Sequence, residues 1–124
     1  MRGGLRRAVI LIGHGSKMKG FQSSMARVAR ELRQDKRFGR VVCAYLEITP
    51  PSISSAIDDC AARGADEISL LPYFVLSGMH VRKDIPRIIA QARRRHARKV
   101  KIKLCPSLGY HKKIVDVVKE RLAG

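Results

Sequence analysis

The chain has 124 residues, 26 of them Lys or Arg and 10 Asp or Glu, for a formal charge of +16. That length suits one domain rather than two complete cores, so residues 1–124 read as a single domain. An apolar fraction of 45% argues against wholesale disorder, and no apolar run approaches the roughly 18–20 residues that cross a bilayer. The basic start, Met1 to Arg7, precedes an apolar stretch too short for a secretory signal. Three cysteines (Cys43, Cys60 and Cys105), odd in number and far apart without a C-x-x-C, speak against a disulfide framework and a structural zinc site. The expected compartment is the cytoplasm, with reduced thiols.

Ala8-Val9-Ile10-Leu11-Ile12 is a short unbroken apolar run, the pattern of a strand buried on both faces, and it ends in the turn composition Gly13-His14-Gly15-Ser16. Phe21, Met25, Val28 and Leu32 then recur at helical spacing. Residues 41–46 form the second strand. Pro50-Pro51 breaks the chain, and Ser52 is positioned to cap a helix carrying Ile53, Ile57 and Ala61, which Gly64 closes. The third strand spans 67–74, with Pro72 placed at its end because proline donates no ladder hydrogen bond. Val81, Ile85, Ile88 and Ala92 define a third helix in which Pro86 fits only the first turn. Val100 to Leu104 alternates like an edge strand whose lysines discourage pairing. Ile114, Val118 and Leu122 mark the last helix.

Strands alternating with helices predict an α/β fold: a doubly wound, flavodoxin-like sheet of four parallel strands in the order 2-1-3-4, with helices on both faces. In such sheets ligands bind beyond the carboxyl ends of the strands, where the order reverses, here between strands one and three. His14 follows strand one, Glu47 strand two, and Val75-Leu76-Ser77-Gly78-Met79-His80 strand three. Neighbouring strands lie about 4.8 Å apart, which lets His14 and His80 face each other across the crevice. Two imidazoles and a carboxylate suit a divalent first-row metal, and an imidazole also suits proton transfer near neutral pH. A lone histidine at a strand end more often caps or packs; two of them on flanking strands, with an acid on the third, favour function.

Rival readings exist. The glycine-rich turn lacks the spacing of a Walker loop or a G-x-G-x-x-G fingerprint. A phosphatase using His14 as nucleophile would want an arginine where Gly13 stands. Ten basic residues and one acid between Arg82 and Lys103, including Arg93-Arg94-Arg95, raise an RNA- or DNA-binding module as the alternative. That stretch has no aromatic residue on which bases could stack, and a solvated helix face explains it more simply.

Val9 to Ser16, Ala44-Tyr45-Leu46-Glu47 with Pro50, and Leu71 to Pro86 resemble the class II chelatases, in particular the short, single-domain sirohydrochlorin cobaltochelatases. Pro106-Ser107-Leu108-Gly109 resembles the family's final loop, and Gly78-x-His80 with Asp84-Ile85-Pro86 is the most specific segment. The resemblance implies a single chelatase domain in which His14 and His80 handle the metal, His14 accepts protons and Glu47 assists. It further implies that Val75, Leu76, Ser77, Gly78 and Met79 line the tetrapyrrole site opposite the turn through Thr49 and Pro50. It implies homodimers, with sirohydrochlorin as substrate and no membrane or nucleic-acid partner. No permanent cofactor is expected; Co2+ is the substrate metal, with Ni2+ or Fe2+ as alternatives. The polycarboxylate rim of sirohydrochlorin gives the excess positive charge a purpose, with Arg82 and Lys83 nearest in sequence.

Overall fold

A computed structural model describes residues 5–20, 22–97 and 99–124, and every side chain among them except that of His80. Phe21, assigned above to the first helix face, and Arg98, in the basic run, lie outside the described residues. The elements are β1 (Arg7–Gly13), α1 (Ser23–Arg33), β2 (Arg40–Tyr45), α2 (Ile53–Ala62), β3 (Glu67–Pro72), α3 (Met79–Arg95), β4 (Lys101–Leu104) and α4 (Lys112–Ala123). All strand pairs are parallel and the order is β2-β1-β3-β4, as the pattern predicts.

The pleat of β1 divides the interior. Ala8, Ile10 and Ile12 belong to one cluster with Ile53 and Ile57 of α2, Ile68 and Leu70 of β3, and Val81, Ile85 and Ile89 of α3. Leu11 belongs to the other, with Met25 and Ala29 of α1 and Val41 and Tyr45 of β2. Alternation along a strand buried on both sides produces this split. Full burial of an Ile or Leu stabilises by about 1.5–3 kcal/mol, and Ile10, Ile12, Ile57, Ile68 and Leu70 are inaccessible to solvent.

Local chemistry ends the elements where expected, with four corrections. Ser52 caps α2, its hydroxyl accepting from the Ser55 amide at 3.1 Å, and Gly64 adopts φ +96° just past that helix. β3 stops at Pro72 rather than 74, although the Tyr73 amide still donates to Ile12 at 2.9 Å. α3 begins at Met79, so Pro86 sits in its interior and not its first turn. Proline there removes the donor to the Arg82 carbonyl at a cost of about 3 kcal/mol, which burial of Val81, Ile85, Ile89 and Ala92 outweighs. The third correction follows from that register: Ile89 is buried and Ile88 only half-buried. The fourth concerns α4, which buries none of its residues and packs against no other element among the described residues. Helices cover both faces of the sheet, but α4 covers neither.

Candidate metal-handling site

The loops that follow β1 and β2 are fastened to each other beyond the ends of the strands. The Leu46 amide donates to Gly13 at 3.0 Å and the Glu47 amide to His14 at 3.1 Å, which prolongs the ladder past the sheet. Next, the Ser16 amide donates to the Thr49 hydroxyl at 3.2 Å, and that hydroxyl donates to the Ser16 carbonyl at 3.1 Å. Gly15 lies between these bonds at φ +104°, where a Cβ would stand 1.8 Å from the Glu47 carbonyl oxygen. Only glycine lets the loops approach so closely. Ile48 takes φ +67°, a left-handed conformation that a β-branched residue adopts only under constraint.

This fastening brings two predicted residues together. His14 Nε2 lies 3.7 Å from Glu47 Oε2, and the side chains are 53% and 48% exposed. A half-exposed pair at that separation adds little to stability. Both groups are therefore open to a ligand. His80, the second residue of α3, follows the β3 loop, and its side chain lies outside the described residues. Among the described residues no three His, Cys, Asp or Glu side chains gather as a metal cage.

The loops around this pair carry exposed apolar side chains. Val75, Leu76 and Met79 are exposed at 51%, 87% and 66%, joined by Met18 after β1 and Ile48 after β2. Large exposed apolar side chains carried by neighbouring loops mark an interaction surface more than a core. Gly78 caps α3 in an extended conformation with open space about its Cα, and Pro50 is exposed on the β2 side. Beside His14 a cavity of about 170 Å³ is lined by Met25, Tyr45, Tyr73 and Phe74. Burial raises the Tyr45 phenol above its ordinary range, so it remains protonated. A second cavity of about 210 Å³ brings Ser77 and Arg82 together with Ser107. The aromatic lining and the contribution of Ser107 were missed in the sequence, because they depend on which loops meet; the serine within the Pro106–Gly109 motif was the available signal.

The basic run is partly consumed by structure. Arg93 donates from Nε and Nη2 to the Ile102 carbonyl of edge strand β4 at 3.1 and 2.9 Å. Arg95 donates to Asp58 on α2 at 3.2 and 3.0 Å, and the His96 ring meets the same oxygen at 2.7 Å. These residues tie the end of α3 to its neighbours. His111, the fourth histidine, caps α4 by accepting from the Lys113 amide at 3.1 Å.

The fold, with its open rim beyond the strand ends, is shared with enzymes that insert metals into tetrapyrroles. The sirohydrochlorin chelatase SirB of Bacillus subtilis subspecies spizizenii, solved with cobalt, matches with a TM-score of 0.86 at 26% identity over 96% of this chain and 50% of SirB. A cobalamin (vitamin B12) biosynthesis CbiX protein from Marinobacter aquaeolei matches with a TM-score of 0.77 at 27% identity over 94% of this chain and 98% of that one. A sirohydrochlorin cobaltochelatase of Sulfolobus acidocaldarius is 34% identical over 91% of this chain and 87% of its own length. The CbiX family model matches residues 8–124, and the chain belongs to the CbiX family.

Proposed function

We propose that this protein is a sirohydrochlorin cobaltochelatase that works through His14, Glu47 and His80. The reaction takes free-base sirohydrochlorin and Co2+ and yields the cobalt complex and two protons. Two nitrogen–hydrogen bonds break as four nitrogen–metal contacts form, so the site must present the metal and remove protons while remaining open. Neutral imidazole binds borderline metals without trapping them. His14 presents the metal on its unprotonated ring nitrogen and, once the metal has passed to the macrocycle, that nitrogen accepts one pyrrole proton while the second leaves to solvent water at the open rim; Glu47, 3.7 Å away, stabilises the imidazolium that results. His80 supplies the second imidazole from the start of α3. Val75, Leu76, Ser77, Gly78 and Met79 form one wall of the ring site and Pro50 belongs to the other. Arg82 holds a rim carboxylate, as the cavity it shares with two serines suggests.

The observation that carries this reading is the half-open His14–Glu47 pair at the carboxyl rim of a CbiX-family sheet. The names of the related proteins favour cobalt, and a ferrochelatase from Arabidopsis thaliana at 26% identity keeps iron as the competing metal. Residues 1–124 act as one chelatase domain, in the reducing cytoplasm that three free thiols suit. The domain works as a homodimer, since a four-stranded domain offers only a small open surface to a ring as large as a tetrapyrrole. The test is the absorbance change of sirohydrochlorin on adding Co2+. Wild-type protein is expected to accelerate it at least about 100-fold over His14→Ala, within the range general-base catalysis contributes. Equal rates would overturn the assignment of His14.

A further inference from the structure

Part of the positive charge lies at the amino ends of the strands, the end of the sheet away from His14. Arg6 precedes β1, Arg40 opens β2 and Arg63 ends α2 as its C-cap. β1 has 7 residues and is about 20 Å long, so these side chains do not serve a ligand lying against His14. The three converge. Arg40 Nη2 and Arg63 Nε reach the same oxygen, Asp59 Oδ2, at 3.6 and 3.0 Å. The Arg6 guanidinium lies over the next residue, Gly64, its Nη1 3.0 Å from where a Cβ would stand. Together they line a cavity of about 180 Å³. Arg7, which borders it, shares its side of β1 with Val9 and Leu11 and pairs with Glu67 at 3.4 Å on the other face.

Arginines at a helix carboxyl end commonly cap its last carbonyls and offset its dipole. Here the backbone does the capping. The carbonyls of Asp59, Cys60 and Ala61 accept from the amides of Arg63, Ala65 and Gly64 at 3.0, 3.1 and 3.0 Å. The dipole offsets about half a charge, and the buried Cys60 thiol, its pKa raised by desolvation, adds none. Asp66 accepts the Arg6 amide at 2.9 Å but does not line the cavity. Three guanidiniums therefore share one carboxylate, Asp59. Each guanidinium carries five donors, and the contacts with Asp59 engage Arg63 Nε and Arg40 Nη2. We propose that this cavity is a second ligand site of the protein, remote from the metal-handling rim, and that it takes a dianionic phosphate group, free or on a small ester. A tetrahedral phosphate presents oxygens in several directions, so more than one guanidinium fork can hold it, whereas a planar carboxylate suits one fork. Its two charges also match the surplus.

The proposal does not depend on chelation, and its test contains no sirohydrochlorin. Titration calorimetry of the full chain with inorganic phosphate, and separately with glycerol phosphate, is run at about pH 8, where the group is dianionic. One saturable site per chain is expected, and the tighter compound identifies the free ion or the ester as the form bound. Arg6→Gln/Arg63→Gln should weaken binding at least about tenfold, the scale of one hydrogen bond to a charged group. Arg27→Gln/Arg30→Gln removes the same charge from exposed positions of α1 and should change affinity less than about twofold, since distant exposed charges are screened. All four arginines are exposed, so both variants should keep their far-ultraviolet spectra and their chelatase rates. Failure of both phosphate compounds to saturate would remove the site. Equal losses in the two double variants would reduce it to the diffuse field of a chain of charge +16. Succinate binding as tightly as phosphate would overturn the ligand class.

Discussion

The Thr49 side chain grips Ser16 at both ends of its backbone, its hydroxyl accepting from the amide at 3.2 Å and donating to the carbonyl at 3.1 Å. The residues are 33 positions apart, and this grip holds the His14 loop against the Glu47 loop. Thr49→Val keeps the shape and removes both bonds, leaving a half-buried backbone pair unsatisfied. At about 0.5–1.5 kcal/mol for each bond, urea denaturation should show a loss of about 1–3 kcal/mol, and chelatase activity should fall because the His14–Glu47 distance is no longer held.

Gly15 is the more severe case. With φ +104° and the Glu47 carbonyl 1.8 Å from where a Cβ would lie, Gly15→Ala forces the loops apart. Activity at or below the level of His14→Ala is expected, with the sheet still folded by circular dichroism. Wild-type activity in Gly15→Ala would show that the clasp is dispensable.

Ile48 pairs a strained backbone with an exposed apolar side chain, at φ +67° and 57% exposure. Asparagine tolerates the left-handed region, so Ile48→Asn should stabilise the fold by about 1 kcal/mol. If the sec-butyl surface of Ile48 is kept for the macrocycle, the same variant should raise KM for sirohydrochlorin several-fold while leaving kcat nearly unchanged. Stability gained at the expense of a binding surface is a recurrent trade at functional sites.

Acid tests the far end of α3. Burial pushes the Asp58 carboxyl up, but the bonds from His96 and Arg95 outweigh it and hold the group below its ordinary 3.8. A depressed folded-state pKa means that the contribution is fully present above the unfolded value and lost as pH falls through the folded one. The stability difference between wild type and Asp58→Asn should therefore be constant near pH 6 and shrink below about pH 4. Denaturation midpoints measured from pH 6 to pH 3 would show it, and a gap that widens on acidification would contradict the arrangement.

Thiol reactivity follows burial in the same way. Cys60 is 1% exposed, and desolvation raises its pKa, so it should resist alkylation at pH 8 in the folded protein and react on unfolding. Cys105, half-exposed just past β4, should react first.

Periodicity by itself determined the alternation of strand and helix, the 2-1-3-4 order and the rim on which His14 and Glu47 stand. Those follow from local geometry: unbroken apolar runs demand burial on both faces, and parallel strands joined by helices admit few arrangements. The same reasoning misplaced Pro86, because burial of Ile85 and Ile89 overrides a local cost that a short window registers in full. Only the tertiary structure decided that Thr49 holds Ser16, that Tyr45 and Tyr73 line the space beside His14, and that Arg93 and Arg95 are spent on Ile102 and Asp58. It also decided that α4, amphipathic on paper, packs against no other element among the described residues. The reason is common to all of these. A residue pattern reports which side of an element is apolar, whereas contact across tens of residues depends on where loops close and which face is left uncovered.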